Sequence, residues 1–290
     1  MRLGVVILPE RPWPEAQEQW RRAEGLGFDH AWTYDHLAWQ MLRDEPWYGA
    51  VPTLAAAAVV TQRLRLGTLV ASPNFRHPVP FARELITLDE LSRGRFILGI
   101  GSGGEGWDAT MLGQDPWSPA ERADRFAEFV ALTDRLLREP ALSATGRFYS
   151  ADGARTFPGC VQRPRLPFAV AGTGPRAMRL AARFGQSWVT TGPRDGRQQL
   201  AATDGAEAVR AQIAQLVRAC EEEERDPSSI DRLVLTGPQL DPGLSSLESF
   251  RDTLGRYAEV GVTDLVVHWP RPSAPYEGDL AMFERVVTDR

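Results

Sequence analysis

Four groups of residues in this chain could do chemistry. His36, beside Asp35, could exchange a proton near neutral pH, where imidazole titrates; the plainer reading is a loop histidine held by Asp35 or by solvent. The run Gly101-Ser102-Gly103-Gly104-Glu105-Gly106-Trp107 lets backbone approach a flat ring or a phosphate without obstruction by side chains, or else is a flexible loop. Gly172-Thr173-Gly174-Pro175-Arg176 leaves uncovered amides at the start of a predicted helix and places a guanidinium beside them. That suits a phosphate, against the alternative of a tight turn that needs glycine for its geometry. Trp13, Trp39, Trp107 and Trp269 fall at or just after predicted strand ends and could wall an apolar or aromatic small molecule, or pack loops.

Composition removes other chemistries. All 33 basic side chains other than histidine are arginine, so a Schiff-base lysine and a Walker-type phosphate lysine are both excluded. The four histidines, His30, His36, His77 and His268, are scattered with no HxH or HExxH spacing, and no metal site is expected. Cys160 and Cys220 show no CxxC pattern, which fits two core residues in a reducing compartment. A net charge of -5 gives no bulk attraction for nucleic acid or an anionic membrane. The N-terminal apolar run Leu3–Leu8 is too short for a signal sequence, and no stretch nears the ~18 apolar residues of a membrane span, so a cytoplasmic protein is expected.

Apolar periodicity predicts the elements that must carry these groups. Short apolar runs at 3–8, 28–34, 65–71, 96–101, 168–171, 187–191, 233–236 and 265–268 read as strands. Helical spacing follows at 14–26, 50–62, 78–91, 119–138, 175–184, 205–224, 247–260 and 280–287, with prolines such as Pro14 suited to first turns and Gly27 to a C-terminal stop. The Gly-, Pro- and Arg-rich stretch 140–167 has no clear period and reads as an inserted excursion before strand five. Eight strands alternating with eight helices, without a composition break, predict one (β/α)8 barrel over residues 1–290 rather than an open doubly wound sheet. Active sites of such barrels lie at the C-terminal strand ends, where His36 and both glycine clusters fall.

Several segments resemble the bacterial luciferase-like monooxygenases and, within them, the branch that uses the deazaflavin coenzyme F420. They are Trp32-Thr33-Tyr34-Asp35-His36, the stretch from Leu66-Gly67-Thr68 through Ser72-Pro73-Asn74-Phe75-Arg76-His77-Pro78, and Ser92 to Gly103. Val161-Gln162-Arg163-Pro164, Gly172 to Arg176 and Ala181-Ala182-Arg183 match as well. The resemblance covers nearly the whole chain, and the Asp-His pair tilts it toward the deazaflavin branch. It implies a homodimeric barrel with a flat ring in its mouth and a phosphate at the strand-five turn. It also implies a non-prolyl cis peptide at Leu69-Val70 behind the ring. Cofactor contacts are accordingly expected from Asp35, Leu69, Val70, Ser72, Asn74, Gly101, Gly103, Gly172, Thr173, Gly174 and Arg176.

The family's proton-relay histidine maps onto His36. Some deazaflavin enzymes carry a glutamate directly after the Gly-x-Gly of strand four, where this chain has Gly104. Either Glu105, one place later, takes that catalytic role, or the acid is missing. The lysines that bind sugar phosphate in the family's glucose-6-phosphate dehydrogenases have no counterpart, which disfavours that substrate. The expected activity is hydride transfer between F420 and a small organic molecule, with His36 moving the proton. The alternatives are an FMN-dependent monooxygenase and a non-catalytic flavin-binding protein on the same barrel.

Overall fold

The computed structural model describes residues 1–104, 106–193, 199–237 and 239–290. Its strands are β1 (Arg2–Val6), β2 (His30–Thr33), β3 (Arg65–Thr68), β4 (Phe96–Ile100), β5 (Ala141–Thr145), β6 (Ser150–Arg155), β7 (Phe168–Ala171), β8 (Ser187–Thr190), β9 (Asp231–Leu235) and β10 (Asp264–His268). Eight of them close into a parallel barrel in the order β1-β10-β9-β8-β7-β4-β3-β2, as the alternating pattern predicts. Around it run α1 (Trp13–Gly25), α2 (Ala50–Val60), α3 (Pro78–Leu91), α4 (Pro119–Arg138), α5 (Pro175–Phe184), α6 (Ala202–Glu222), α7 (Leu247–Glu259) and α8 (Leu280–Thr288). No helix among the described residues is long and apolar enough to cross a membrane.

Local chemistry explains most of the boundaries. Helix α4 starts where Ser118 accepts a hydrogen bond from the Glu121 amide and Pro119 takes the first helical position, where its missing N–H is no loss. Helix α6 begins at Ala202, ahead of the expected 205, because Ala201 precedes it without any side-chain cap and leaves no signal in the sequence. The excursion holds more order than its composition suggests: β5 and β6 pair as an antiparallel hairpin. Its strands are half exposed, include Gly153 and shift register between Leu142 and Ala144, so no clean alternation appears. The Glu128 carboxylate on α4 fixes the hairpin turn by accepting from the amides of Arg147, Phe148 and Tyr149 at 3.2, 3.0 and 2.7 Å.

Successive side chains of each strand point alternately to the helices and into the barrel. In β10, Leu265 and Val267 join the core beneath the helices, whereas Val266 joins the apolar cluster inside the barrel. The interior is filled in layers. At its N-terminal end, buried Asp264 accepts from Arg2 at 2.6 and 2.7 Å and bonds His30 at 3.0 Å, while the Trp32 indole donates to His30 at 2.6 Å. Burial opposes ionisation of Asp264, but His30 and Arg2 hold its carboxyl well below the usual range. Above this, the Trp32 ring occupies space that Gly67 leaves free on β3.

The uppermost layer is polar. Tyr34 bonds His268 at 2.7 Å and Tyr276 at 3.2 Å, and the His268 and Tyr276 rings stack with centroids 3.5 Å apart. Burial pushes the His268 imidazole down to about 3 and the Tyr276 phenol up to about 12. His268 is therefore neutral in the folded barrel at pH values where the unfolded chain takes up a proton.

A Cβ on Gly67 would lie 2.5 Å from the Trp32 ring and 2.6 Å from the Ile97 carbonyl oxygen. Gly67→Ala should thus lower the unfolding free energy by about 1–3 kcal/mol in urea titration; an unchanged midpoint would contradict tight filling at this layer. For His268, a lowered folded pKa means stability that is intact above its ordinary 6.5 and is lost as pH falls from there toward about 3. The loss approaches ~1.4 kcal/mol per pH unit within that window. His268→Gln should flatten the decline between pH 6.5 and 4.5, and equal slopes in the two proteins would refute the buried neutral histidine.

Candidate active site

The C-terminal strand ends open onto a cleft of about 260 Å3 lined by His36, Val70, Ser72, the 101–104 segment, the 171–173 segment and the 189–192 segment. Each contribution follows directly from a strand. His36 comes just after β2, Val70 and Ser72 after β3, Gly101 to Gly104 after β4, Gly172 and Thr173 after β7, and Thr191 and Gly192 after β8. Val70, Ala171 and Val189 give the cleft an apolar floor, and the glycines leave its walls low.

His36 is held on two sides. Its Nδ1 bonds the Asp108 carboxylate at 2.5 Å, and the other Asp108 oxygen accepts from the Leu37 amide at 2.6 Å. The backbone oxygen of His36 accepts from the Trp47 indole at 2.8 Å. With Nδ1 carrying the proton that faces Asp108, Nε2 is the nitrogen left for exchange; no hydrogen-bond partner reaches it among the described residues. Asp108 is buried at 4% exposure in the short turn following the glycine cluster. Asp108 carries no signal in the sequence, because 72 positions separate it from His36 and no spacing rule links the β2 and β4 loops.

Asp35 faces away from the cleft. It is 2% exposed, and both oxygens accept from the Arg76 guanidinium, at 2.5 and 2.7 Å. Arg76 also reaches Glu84 on α3 at 2.9 Å. The expected cofactor contact is therefore corrected to a strut that ties the β2 loop to the β3 loop, since one step along extended chain reverses the direction of the side chain.

The cis peptide at Leu69-Val70 is present, with Leu69 in the barrel-interior cluster and Val70 on the cleft. Gly101 packs so closely that a Cβ would come 2.7 Å from Val70, and a Cβ on Gly103, whose φ is +72°, would come 2.4 Å from Asn74 Oδ1. The Asn74 amide donates to the Gly104 carbonyl at 3.2 Å, and its Oδ1 is buried without a partner among the described residues. Glu105 lies outside the described residues.

At the β7 turn, Gly172 and Thr173 line the cleft and Gly174 caps α5. Arg176 instead pairs with Asp124 on α4, so its charge is spent on a neighbouring helix and not on the cleft. The first-turn amides of α5 remain as the anion-attracting element there.

The tryptophans divide. Trp269 packs in the core between barrel and helices, a correction to its expected place at the mouth, and Trp13, at the start of α1, is partly buried against that same core rather than lining the cleft. Trp269 follows inward-pointing His268 by one residue and so turns outward against Phe283 of α8, with ring centroids 5.5 Å apart. Trp39 belongs to the barrel-interior cluster and stacks on Trp47 and Tyr276 at 6.4 and 6.0 Å. Trp107 is 37% exposed beneath the Arg43 guanidinium. The Tyr34, His268 and Tyr276 network was also missed, although the position of His268 at the end of a strand was a usable signal.

Known proteins share this architecture. An F420-dependent glucose-6-phosphate dehydrogenase from Beutenbergia cavernae is 38% identical over 180 residues, covering 58% of this chain and 50% of that protein. An F420-dependent hydroxymycolic acid dehydrogenase from Mycobacterium tuberculosis is 32% identical over 170 residues, covering 58% and 46%. The chain thus spans about half the length of these curated relatives. The coenzyme F420-dependent tetrahydromethanopterin reductase of Methanopyrus kandleri superposes with a TM-score of 0.76 at 17% identity, over 99% of this chain and 96% of that one, which shows a common fold. The family model described as luciferase-like monooxygenase matches residues 1–242, and the chain belongs to that family.

Proposed function

We propose that this chain is an oxidoreductase that moves a hydride between coenzyme F420 and a small organic substrate, with His36 transferring the accompanying proton. The observation that carries this reading is the Asp108–His36 bond, which fixes one imidazole nitrogen and leaves the other on a glycine-walled cleft. The curated relatives named as F420-dependent dehydrogenases support the choice of cofactor.

The residues present fit such a group. The cleft lies just below the ~300–1,000 Å3 usual for ligand pockets, so it suits a flat ring with its tail along the open rim. Val70, Ala171 and Val189 would contact the ring, Gly101, Gly103 and Gly104 leave room for it to lie against backbone, and the α5 amides would hold a phosphate. When bound, the deazaflavin supplies a carbon centre that gives or takes a hydride. The apolar floor excludes water from that contact, and His36 Nε2 gives or accepts a proton at the substrate oxygen or nitrogen. Asp108 is a positioning residue, since it acts through the orientation of His36.

Titration with F420 and with FMN, read by fluorescence and co-elution, tests the assignment: saturable F420 binding supports it, and tight FMN binding without F420 binding would replace it with the flavin monooxygenase reading. A protein that binds F420 but fails to turn over a panel of alcohols and carbonyl compounds would support the non-catalytic alternative. His36→Ala should lower turnover by about 10²–10⁴-fold with cofactor affinity nearly unchanged. Asp108→Asn should lower kcat on the order of tenfold or more, shift the pH profile of the reaction and spare cofactor affinity. A flat pH comparison with wild type would reduce Asp108 to a purely structural role.

A further inference from the structure

The opposite face of the barrel carries a larger cavity that this chemistry leaves unused. Its volume is about 780 Å3, and it opens where β3, β8 and β9 begin, between the ends of α4 and α5 and the segment entering β7. Ile97 of β4 lines this cavity and Gly101 lines the redox cleft, and four steps of ~3.3 Å put the two roughly 13 Å apart. A ligand here could not touch a cofactor ring in the mouth.

Arginine dominates the wall: Arg65, Arg135, Arg138, Arg163, Arg165 and Arg183 face two carboxylates, Asp134 and Asp231. Both acids are already claimed. Asp134 pairs with Arg165 at 2.6 Å and Arg138 at 3.5 Å, and Asp231 pairs with Arg2 at 2.7 Å. Arg135 is held by Glu139 at 2.9 Å. Arg65, Arg163 and Arg183 make no salt bridge to a carboxylate among the described residues, so three guanidiniums border one cavity without a contacting counter-ion, although Asp231 and Asp264 lie near Arg65.

The surroundings make this more than a solvated basic surface. Arg165 is 7% exposed and is locked by Asp134, by the Leu166 and Phe184 carbonyls and by the Phe168 ring, which fixes the inner wall. Arg65 is half buried at the cavity base, where burial first and then neighbouring Arg2 disfavour its charge, while the nearby carboxylates of Asp231 and Asp264 favour it. An anion in the cavity would favour the charged form further. Guanidinium forks bind phosphate oxygens in pairs, a geometry that lysine does not offer.

We propose that this cavity is a binding site for a compact multivalent anion of the phosphate class, held by Arg65, Arg163 and Arg183. Calorimetric titration of the whole chain with inorganic pyrophosphate and, separately, with fructose 1,6-bisphosphate, both at fixed ionic strength, tests it. Saturable single-site binding of either probe is expected, and the tighter of the two distinguishes an inorganic anion from a phosphate ester. The Arg163→Gln/Arg183→Gln double variant alters two exposed side chains, so its thermal melt should match wild type while its affinity falls at least tenfold. Binding that persists in the variant would place the anion elsewhere, for example at the α5 amides, and would overturn the proposal. So would heats that sodium chloride reproduces. F420 binding by the variant should be unchanged, which separates failure of this site from failure of the cofactor assignment.

Discussion

Everything in this molecule depends on the closure of eight short parallel strands into a ring. Once the ring is closed, every strand residue must face either the helices or a narrow interior, and the interior has to be filled. The chain meets that demand with unequal side chains: Trp32 lies over Gly67, and charged and hydrogen-bonded groups occupy the lowest layer around Asp264. The alternation also decides chemistry. His268 points inward to Tyr34 and Trp269 outward to Phe283, although they are neighbours in sequence.

The same closure gathers the cleft at the strand ends. The β2, β3, β4, β7 and β8 loops meet at one end because parallel strands all finish there. Two polar ties then fix the β2 loop against its neighbours: Arg76 grips Asp35 from the β3 side, and Asp108 grips His36 from the β4 side. Adjacent residues of one loop thus have separate duties, Asp35 as an anchor and His36 as the group exposed to the cleft.

Features with a local cause were legible in the sequence. Strand and helix order, the glycine-lined cleft and the place of His36 all follow from apolar period, proline and glycine, and the cis peptide at Leu69-Val70 followed from family resemblance. What escaped depends on contacts between distant segments. Asp108 looked like any acid in a loop until the barrel brought it to His36, and Arg176 looked like a phosphate ligand until α4 supplied Asp124. Trp269 turns outward because position at a strand end does not specify which way a side chain points. The β5–β6 hairpin was hidden because its order is supplied from outside, by Glu128 on α4.

That hairpin and the chain leading from it to β7 break the regular alternation of one strand with one helix. They are fastened along the barrel wall, through Arg83 of α3 to the Phe157 carbonyl and through Gln162 to Asp89. In a strictly repeating barrel, each strand passes to one helix and each helix back to one strand through a short connection. Here the interruption adds a second irregular surface, at the far end of the strands, whose side chains are free of the demands that closure places on the cleft.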